Sequence, residues 1–230
     1  MNVALVSVGD ELLSGDTVNT NATWLGKQLS ERGSSVERVT VLPDRIADIA
    51  RVINEYAAEY DAVITTGGLG PTHDDRTMEA VAAAVGRQLE TSEAALEWLS
   101  DENGYERSDL TEGTADIPVG SRPLHNTAGV APGCVVENIY VLPGVPAEMK
   151  AMFESIAPEF DGQKRHVTSV TLEEPESALV DRLKGLEERF DVKVGSYPGE
   201  NVRVRIESTD PEAVEEAAAW LRANGTEVSE

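Results

Sequence analysis

The 230-residue sequence contains a single cysteine, Cys134, which excludes an intramolecular disulfide. Because this cysteine lies in an apolar, strand-like run at residues 131–136, we expect it to be a buried small side chain rather than a nucleophile. Long hydrophobic runs are also missing, since no stretch approaches the roughly 18 apolar residues that a membrane helix needs. The first residues lack a basic region and pass directly into a strand pattern, which predicts a cytoplasmic protein.

Basic residues are scarce. The chain has 19 lysines and arginines against 42 aspartates and glutamates, giving a formal net charge of −23. Such a surface repels nucleic acids and anionic membranes, and the sequence shows no basic stripe that would offset this repulsion, so we expect neither partner. The acids are spread over predicted helical faces rather than gathered in one tail. The charge therefore indicates adaptation to a high-salt cytoplasm, where self-repulsion is screened.

What the sequence does contain is an alternation of strands and helices. Strands are predicted at residues 3–8, 36–42 and 61–65, and each is followed by a helical pattern. Three such units with short connections predict a three-layer α/β/α domain with a mostly parallel sheet. Ligands of such sheets bind beyond the carboxyl ends of the strands, so the loops after these three strands are the candidate site.

Helix boundaries follow from capping residues. Asn19 or Thr20 is expected to cap the first helix, and Pro43 with Asp44 to open the second. A third helix is predicted at residues 77–85.

The second half of the chain is less regular. A helix is predicted at residues 92–102, an irregular segment at 109–120 and a hairpin at 134–142. We place a domain boundary near residues 158–165, with a first domain at 1–163 and a second at 164–230. The second domain has the β-α-β-β-α order of small ferredoxin-like or KH-like units. Because it lacks a GXXG clamp and is rich in acids, we expect it to serve packing or oligomerisation rather than nucleic-acid binding.

The segment TTGGLGPTHDD, residues 65–75, carries the chemistry. It follows a predicted strand and precedes a predicted helix, so its glycines let the backbone approach a ligand and direct N–H groups at anionic oxygens. Asp74 and Asp75 would repel a phosphate unless a divalent cation lay between, and carboxylates with phosphate oxygens form the site that Mg²⁺ prefers. The alternative is that one of these aspartates only caps the following helix.

This segment closely resembles the signature of the MoaB/Mog molybdopterin-binding family and is most similar to its CinA-like branch. Further segments agree with the CinA pattern: SVGDELL at 7–13, NTNA at 19–22, NTAGVAPG at 126–133 and LPGVPAEM at 142–149. The second domain, with GSYP at 195–198, resembles the module that follows in CinA proteins. Full CinA proteins generally continue into an amidohydrolase domain that deamidates nicotinamide mononucleotide. As this chain ends at Glu230, we expect that activity to be absent.

The resemblance also assigns roles to residues. It implies that Asp44 and Asp75 are the catalytic acids. From their charge beside a phosphate site, we expect Asp74 and Asp75 to hold Mg²⁺ or another divalent cation such as Co²⁺. K⁺ is a further candidate cofactor. The residues expected to contact the ligand are Glu11, Asn19, Asn21, Gly67, Gly68, Leu69, Gly70, Pro71, Thr72, Pro143, Gly144 and Pro146. Structural alternatives stay open for some of these residues. Glu11 could make only a helix-terminus contact, and one of the two asparagines could be only a helix cap. Pro143 and Pro146 could be plain turn formers.

The function implied is phosphoanhydride chemistry on a phosphorylated small molecule. CinA-like relatives imply a metal-dependent pyrophosphohydrolase acting on ADP-ribose or a related nucleotide, which we prefer because the motifs follow that branch. MoaB/Mog relatives imply the alternative, adenylylation of molybdopterin in molybdenum cofactor biosynthesis. A non-catalytic nucleotide- or pterin-binding module is the second alternative. The resemblance further implies a homo-oligomer, either a dimer or a trimer.

Overall fold

The structure is a computed structural model that describes residues 1–70, 72, 74–101, 110–163 and 165–228. The chain divides into two compact units, Met1–Gly162 and Gln163–Glu230. Within the described residues, no helix is long and apolar enough to cross a membrane.

The first unit begins with strands and helices that mostly alternate, and four consecutive strands precede its last helix. Its elements in chain order are β1 (Asn2–Val8), α1 (Asp10–Ser14), α2 (Thr20–Glu31), β2 (Ser35–Leu42), α3 (Ile46–Glu59), β3 (Ala62–Thr66), α4 (Thr77–Ala84), β4 (Leu89–Thr91), α5 (Glu93–Asp101), β5 (Asp116–Pro118), β6 (Arg122–Leu124), β7 (Gly133–Val136), β8 (Ile139–Leu142), α6 (Pro146–Ile156) and a 3-10 turn (Ala157–Phe160).

Six of these strands form one sheet in the order β2-β1-β3-β8-β7-β6. The first four run parallel, and β7 pairs antiparallel with both neighbours. Strand β3 is buried along its whole length, as expected of a sheet covered on both faces. One face packs against a cluster that includes Leu25 and Phe153, from α2 and α6, and the other against a cluster that includes Ile53 and Val81, from α3 and α4. The predicted three-layer α/β/α fold is therefore confirmed.

Several local predictions need correction. Asp44 does not open a helix, because α3 begins at Ile46 with Arg45 in the cap position. The segment predicted to be irregular contains β5, which pairs with β4. These strands have three residues each, too few for a periodic pattern to show. The predicted hairpin is confirmed as β7–β8, with Glu137 in the left-handed region at φ 55°. Residue 102 of the predicted helix and residue 109 of the irregular segment lie outside the described residues.

The second unit has the element order predicted from the sequence. Its elements are β9 (His166–Leu172), α7 (Glu176–Phe190), β10 (Lys193–Tyr197), β11 (Val202–Ser208) and α8 (Pro211–Ala223). The strands form an antiparallel sheet in the order β10-β11-β9. Inward-facing residues of β11, Val204 and Ile206, are fully buried in a cluster with Leu179 and Leu186 of α7 and Leu221 of α8. Both helices thus contribute to one core with the sheet.

Candidate functional site

The carboxyl ends of the four parallel strands meet at one edge of the sheet. Val8 at the end of β1 is in register with Leu42 of β2, and Thr66 of β3 with Leu142 of β8. Main-chain hydrogen bonds continue this register into the loops. The Gly9 amide donates to the Leu42 carbonyl at 3.1 Å, and the Gly67 amide donates to the Leu142 carbonyl at 3.2 Å. The loops predicted to form the site are therefore neighbours.

The turn after β3 requires glycine for two separate reasons. Gly67 has φ +100° and Gly68 has φ +65°, a region that other residues rarely adopt. A Cβ on Gly67 would lie 2.3 Å from the Val8 carbonyl oxygen, and one on Gly68 would lie 2.3 Å from the Thr77 hydroxyl. The Gly68 carbonyl also accepts a 3.1 Å hydrogen bond from the Thr77 amide, which fixes the turn to the start of α4. The sharp turn thus runs close against both β1 and α4.

Two carboxylates converge on one hydroxyl just beyond this turn. The Thr72 hydroxyl oxygen lies 2.5 Å from an oxygen of Asp74 and 2.5 Å from an oxygen of Asp75. The Thr72 amide donates to the same Asp75 oxygen at 2.9 Å. A hydroxyl has one proton to donate, so it cannot satisfy both carboxylates at once. The two carboxylates therefore share a single hydroxyl donor at this point of the loop.

Neither aspartate occupies the cap position of the following helix. The cap position of α4 is Arg76, whose own side chain makes no capping hydrogen bond. Asp75 instead accepts hydrogen bonds from its own loop, and its carboxylate packs on Gly70, where a Cβ would lie 2.5 Å from the carboxylate oxygen. The loop is therefore folded around the Asp75 carboxylate.

Asp44 brings a further acid to the same edge. Its carboxylate accepts a 2.9 Å hydrogen bond from the Asp10 amide, which joins the loop after β2 to the start of α1. Burial raises the pKa of Asp44, and the negative charges of Asp10, Glu11 and Asp74 raise this pKa further, whereas the Asp10 amide acts in the opposite direction. Carboxylates from three loops are thus close enough to influence one another. Among the described residues, however, no three His, Cys, Asp or Glu side chains form a group that could hold a metal ion.

The two asparagines have different roles. Asn19 caps α2 by accepting from the Ala22 amide at 3.1 Å, and it donates to the Ser7 hydroxyl at 3.0 Å, so its structural role is established. Asn21 donates to the Gly144 carbonyl at 2.7 Å. Its side-chain oxygen is buried and has no hydrogen-bond partner among the residues that the structure describes. Asn21 therefore presents a buried acceptor at the edge of the site.

The turn after β8 forms an adjacent wall. A Cβ on Gly144 would lie 3.2 Å from the Gly67 Cα, so this turn packs directly on the glycine turn after β3. Pro143 is buried, whereas Pro146 is exposed as the first residue of α6, a position that suits proline in any helix. The structure thus places both turns side by side.

Two of the remaining predicted residues can be placed. Glu11 is exposed in α1, and its carboxylate folds back over Gly9, where a Cβ would lie 2.3 Å from a carboxylate oxygen. The Leu69 side chain packs against the hydrophobic core, which gives it a structural role. Pro71 lies outside the described residues.

Sequence reasoning assigned no role to Asn126 and Glu148. Asn126 is fully buried; its amide nitrogen donates to the Ala131 carbonyl at 3.0 Å and to a Glu148 carboxylate oxygen at 2.6 Å. Its side-chain oxygen accepts from the Ala128 amide at 3.2 Å. Because β7 is antiparallel to β8, the loop that Asn126 closes lies at the same edge as the other loops. In the sequence, these two residues were indicated only by the resemblance of segments 126–133 and 142–149 to the CinA pattern.

Comparisons with known proteins agree with this architecture. Residues 4–162 match the family described as a probable molybdopterin binding domain, and residues 164–228 match the one described as FAD synthase, middle domain. A protein of Archaeoglobus fulgidus is 39% identical over 219 residues, which cover 94% of this chain and 95% of the relative. A CinA-like protein of Citrifermentans bemidjiense is 37% identical over 238 residues, which cover 96% of this chain and 58% of that longer protein.

A solved structure supports the same assignment. The protein CinA of Thermoplasma acidophilum is 36% identical with a TM-score of 0.63, and the match covers 70% of this chain and 99% of that one. The family match over residues 4–162 accounts for all the loops of the candidate site. The chain therefore belongs to the molybdopterin-binding-domain family and, within it, to the CinA-like proteins.

Proposed function

We propose that the protein is a metal-dependent pyrophosphohydrolase that acts on ADP-ribose or a related nucleotide. The observation that carries the proposal is the convergence of Asp74 and Asp75 on the Thr72 hydroxyl, directly beyond a turn that only glycine can form. The turn offers main-chain N–H groups to phosphate oxygens, and the carboxylates offer oxygen ligands to a cation. A site that combines these two features is suited to binding and cleaving a pyrophosphate.

The donor set fits Mg²⁺ or a similar divalent cation. Asp74 and Asp75 would hold it, and because no third carboxylate, histidine or cysteine completes a ligand group in the described residues, phosphate oxygens and water would supply the other ligands. Such incomplete protein coordination is usual for Mg²⁺ at phosphate sites. When bound, the ion neutralises charge on the bridging phosphates. K⁺ is proposed only as an additional cation.

The protein's own residues have separable roles in this proposal. Thr72 and Gly70 hold Asp75 in place, and Asn21 fixes the Gly144 turn beside the phosphate-binding turn. Asp44 is not one of the two proposed metal ligands, and its raised pKa suits it to accept a proton from the attacking water. The Asp10 amide holds the Asp44 carboxylate in orientation.

A second candidate function is adenylyl transfer to molybdopterin. The family description of residues 4–162 as a probable molybdopterin binding domain favours it. The same glycine turn and carboxylates would bind ATP and a pterin phosphate, and the bond would be made rather than cleaved. A non-catalytic nucleotide- or pterin-binding module would use the same turns without Asp44 and Asp75.

Hydrolysis is tested by incubating the protein with ADP-ribose and Mg²⁺ or Co²⁺ in concentrated KCl and measuring the AMP released. We expect turnover that Asp75→Asn lowers by about 100-fold or more, because loss of a metal-binding, charge-stabilising group costs this much in comparable sites. Asp181→Asn, on the exposed surface of α7, is the matched control and should leave the rate unchanged.

The outcomes separate the candidates. AMP release that is unaffected by Asp75→Asn would refute the site. Adenylylated product from ATP plus molybdopterin, without ADP-ribose hydrolysis, would favour the transferase. Tight binding without turnover of any of these substrates would favour the binding module.

A further inference from the structure

The sheet of the second unit turns one face to its helices and the other, the outer face, to solvent. Strand alternation places the following residues on the outer face: Val167, Ser169 and Thr171 of β9, Lys193, Gly195 and Tyr197 of β10, and Arg203, Arg205 and Glu207 of β11. Val167 is 47% exposed and Tyr197 is 45% exposed, so this face is open. Glu207 is the only acidic residue in the sequences of the three strands, although the chain carries a net charge of −23.

The one acid on this face is buried and shared by several cations. Glu207 is 8% exposed, and its carboxylate lies 2.9 Å from Arg205, 3.2 Å from Arg165 and 3.7 Å from Lys193. One negative charge therefore faces three positive charges. The Lys193 side chain is 75% exposed and that of Arg205 is 37% exposed, so the surplus positive charge is accessible to a ligand.

An exposed aromatic ring lies next to these cations. The Arg203 guanidinium carbon is 5.1 Å from the centroid of the Tyr197 ring. The ring lies over Gly195, where a Cβ would be 3.3 Å from the ring edge. The small residue beneath the ring thus lets Tyr197 lie along the strand instead of projecting from it. A ring beside arginines is the combination that binds a base together with its phosphates.

We propose that this outer face binds single-stranded nucleic acid. The face of a sheet is open and elongated, which suits an extended polymer better than a small molecule, since small-molecule sites are concave. Lysine and arginine side chains would pair with phosphates, and Tyr197 would stack on a base. An acidic protein segment would pair with the cations but would leave the tyrosine ring without a stacking partner.

The negative net charge and the lack of a basic stripe in the linear sequence predict that nucleic acid is not a partner. The fold assembles such a stripe, because alternation in β11 brings Arg203 and Arg205 to one face and pairing adds Lys193 from β10. Salt screens the acidic groups on other surfaces, because the Debye length is about 8 Å at 0.15 M ionic strength and shorter at higher salt. The local charge of the face, not the total, then decides binding.

The test is fluorescence anisotropy of labelled oligo-uridine and oligo-deoxythymidine of about 12 nucleotides, a length within the range of single-strand binding sites. We expect binding that weakens with KCl, with a slope of about −2 in log affinity against log salt for three phosphate contacts. Arg203→Glu and Tyr197→Ala should each weaken binding by about 10-fold. Glu200→Lys, in the turn that joins β10 to β11, should strengthen it.

Lys184→Glu is the matched control, because it makes the same charge change on α7, in the helical layer. Its affinity should stay within about twofold of the wild type. Arg165 and Arg205 are left intact since they neutralise the buried Glu207, and circular dichroism verifies that each variant folds.

Several results would overturn the proposal. These are no binding of either oligonucleotide, an equal loss in Lys184→Glu, or displacement by a poly-glutamate peptide as efficient as that by unlabelled oligonucleotide. Binding of either oligonucleotide supports the proposal, and tighter binding of one of them shows whether the natural ligand is RNA or DNA. All of these measurements are independent of pyrophosphate hydrolysis.

Discussion

At the scale of single residues, the glycines after β3 are positions where the fold leaves little room for a side chain. Gly67 combines a positive φ with a close approach to the Val8 carbonyl, whereas Gly15 has a similar φ of +80° but a Cβ there would meet nothing within 4 Å. A substitution at Gly15 would therefore meet conformational strain alone, whereas one at Gly67 would meet both strain and a steric clash. The sequence predicted a close backbone approach to a ligand here; the structure shows that β1 already demands the glycine.

We expect Gly67→Ala to lower the free energy of unfolding of the first unit by about 2–4 kcal/mol, since strain and a clash with main chain act together. Gly15→Ala, the matched control, should lose only about 1 kcal/mol, the cost of the backbone conformation alone. Urea denaturation followed by fluorescence measures both. Equal losses in the two variants would show that the contact with Val8 relaxes without cost.

At the scale of elements, the loop before β7 is fixed by one buried side chain. Asn126 hydrogen-bonds Ala128 and Ala131 within the loop and Glu148 in α6, so it ties the loop to the helix that follows the Gly144 turn. The Glu148 carboxylate packs on Gly129, where a Cβ would lie 2.4 Å from it. This contact between two sequence segments 22 residues apart holds one end of the row of loops.

Asn126→Ala should therefore destabilise the first unit by about 2–3 kcal/mol, because it removes a hydrogen bond to a charged group and takes the donor away from two partly buried acceptors. Thr127→Ala, at the exposed neighbouring position, should change stability by less than about 0.5 kcal/mol. Thermal unfolding of both variants measures the difference. An unchanged midpoint for Asn126→Ala would mean that the loop is held by other contacts.

At the scale of the whole molecule, the net charge of −23 opposes association of copies. We propose a homo-oligomer, a dimer or trimer, whose formation requires salt because screening shortens the range of repulsion between acidic surfaces.

Light scattering across a KCl series should show the mass rise from that of one chain, 24.7 kDa, to two or three times this value as salt increases. Sucrose at matched viscosity is the control for a non-ionic effect. A single-chain mass at every salt concentration would refute the proposal.

The sequence by itself determined most of the elements and their order, because the periodicity of apolar residues reports which face of a helix or strand is buried. It predicted the β-α-β-β-α order of the second unit, which the structure confirms. It missed β4 and β5, which pair with each other but are too short for a periodic pattern to show.

Only the tertiary structure decided which side chains meet. Asn126 and Glu148, like the cations around Glu207, are brought together by strand pairing and helix packing that no local pattern encodes. It also separated the asparagines, one a helix cap and the other a tie to the Gly144 turn, although they lie two positions apart in the chain. The physical reason is that composition and periodicity average over the chain or report local burial, whereas binding depends on which charges and hydrogen-bonding groups share one surface.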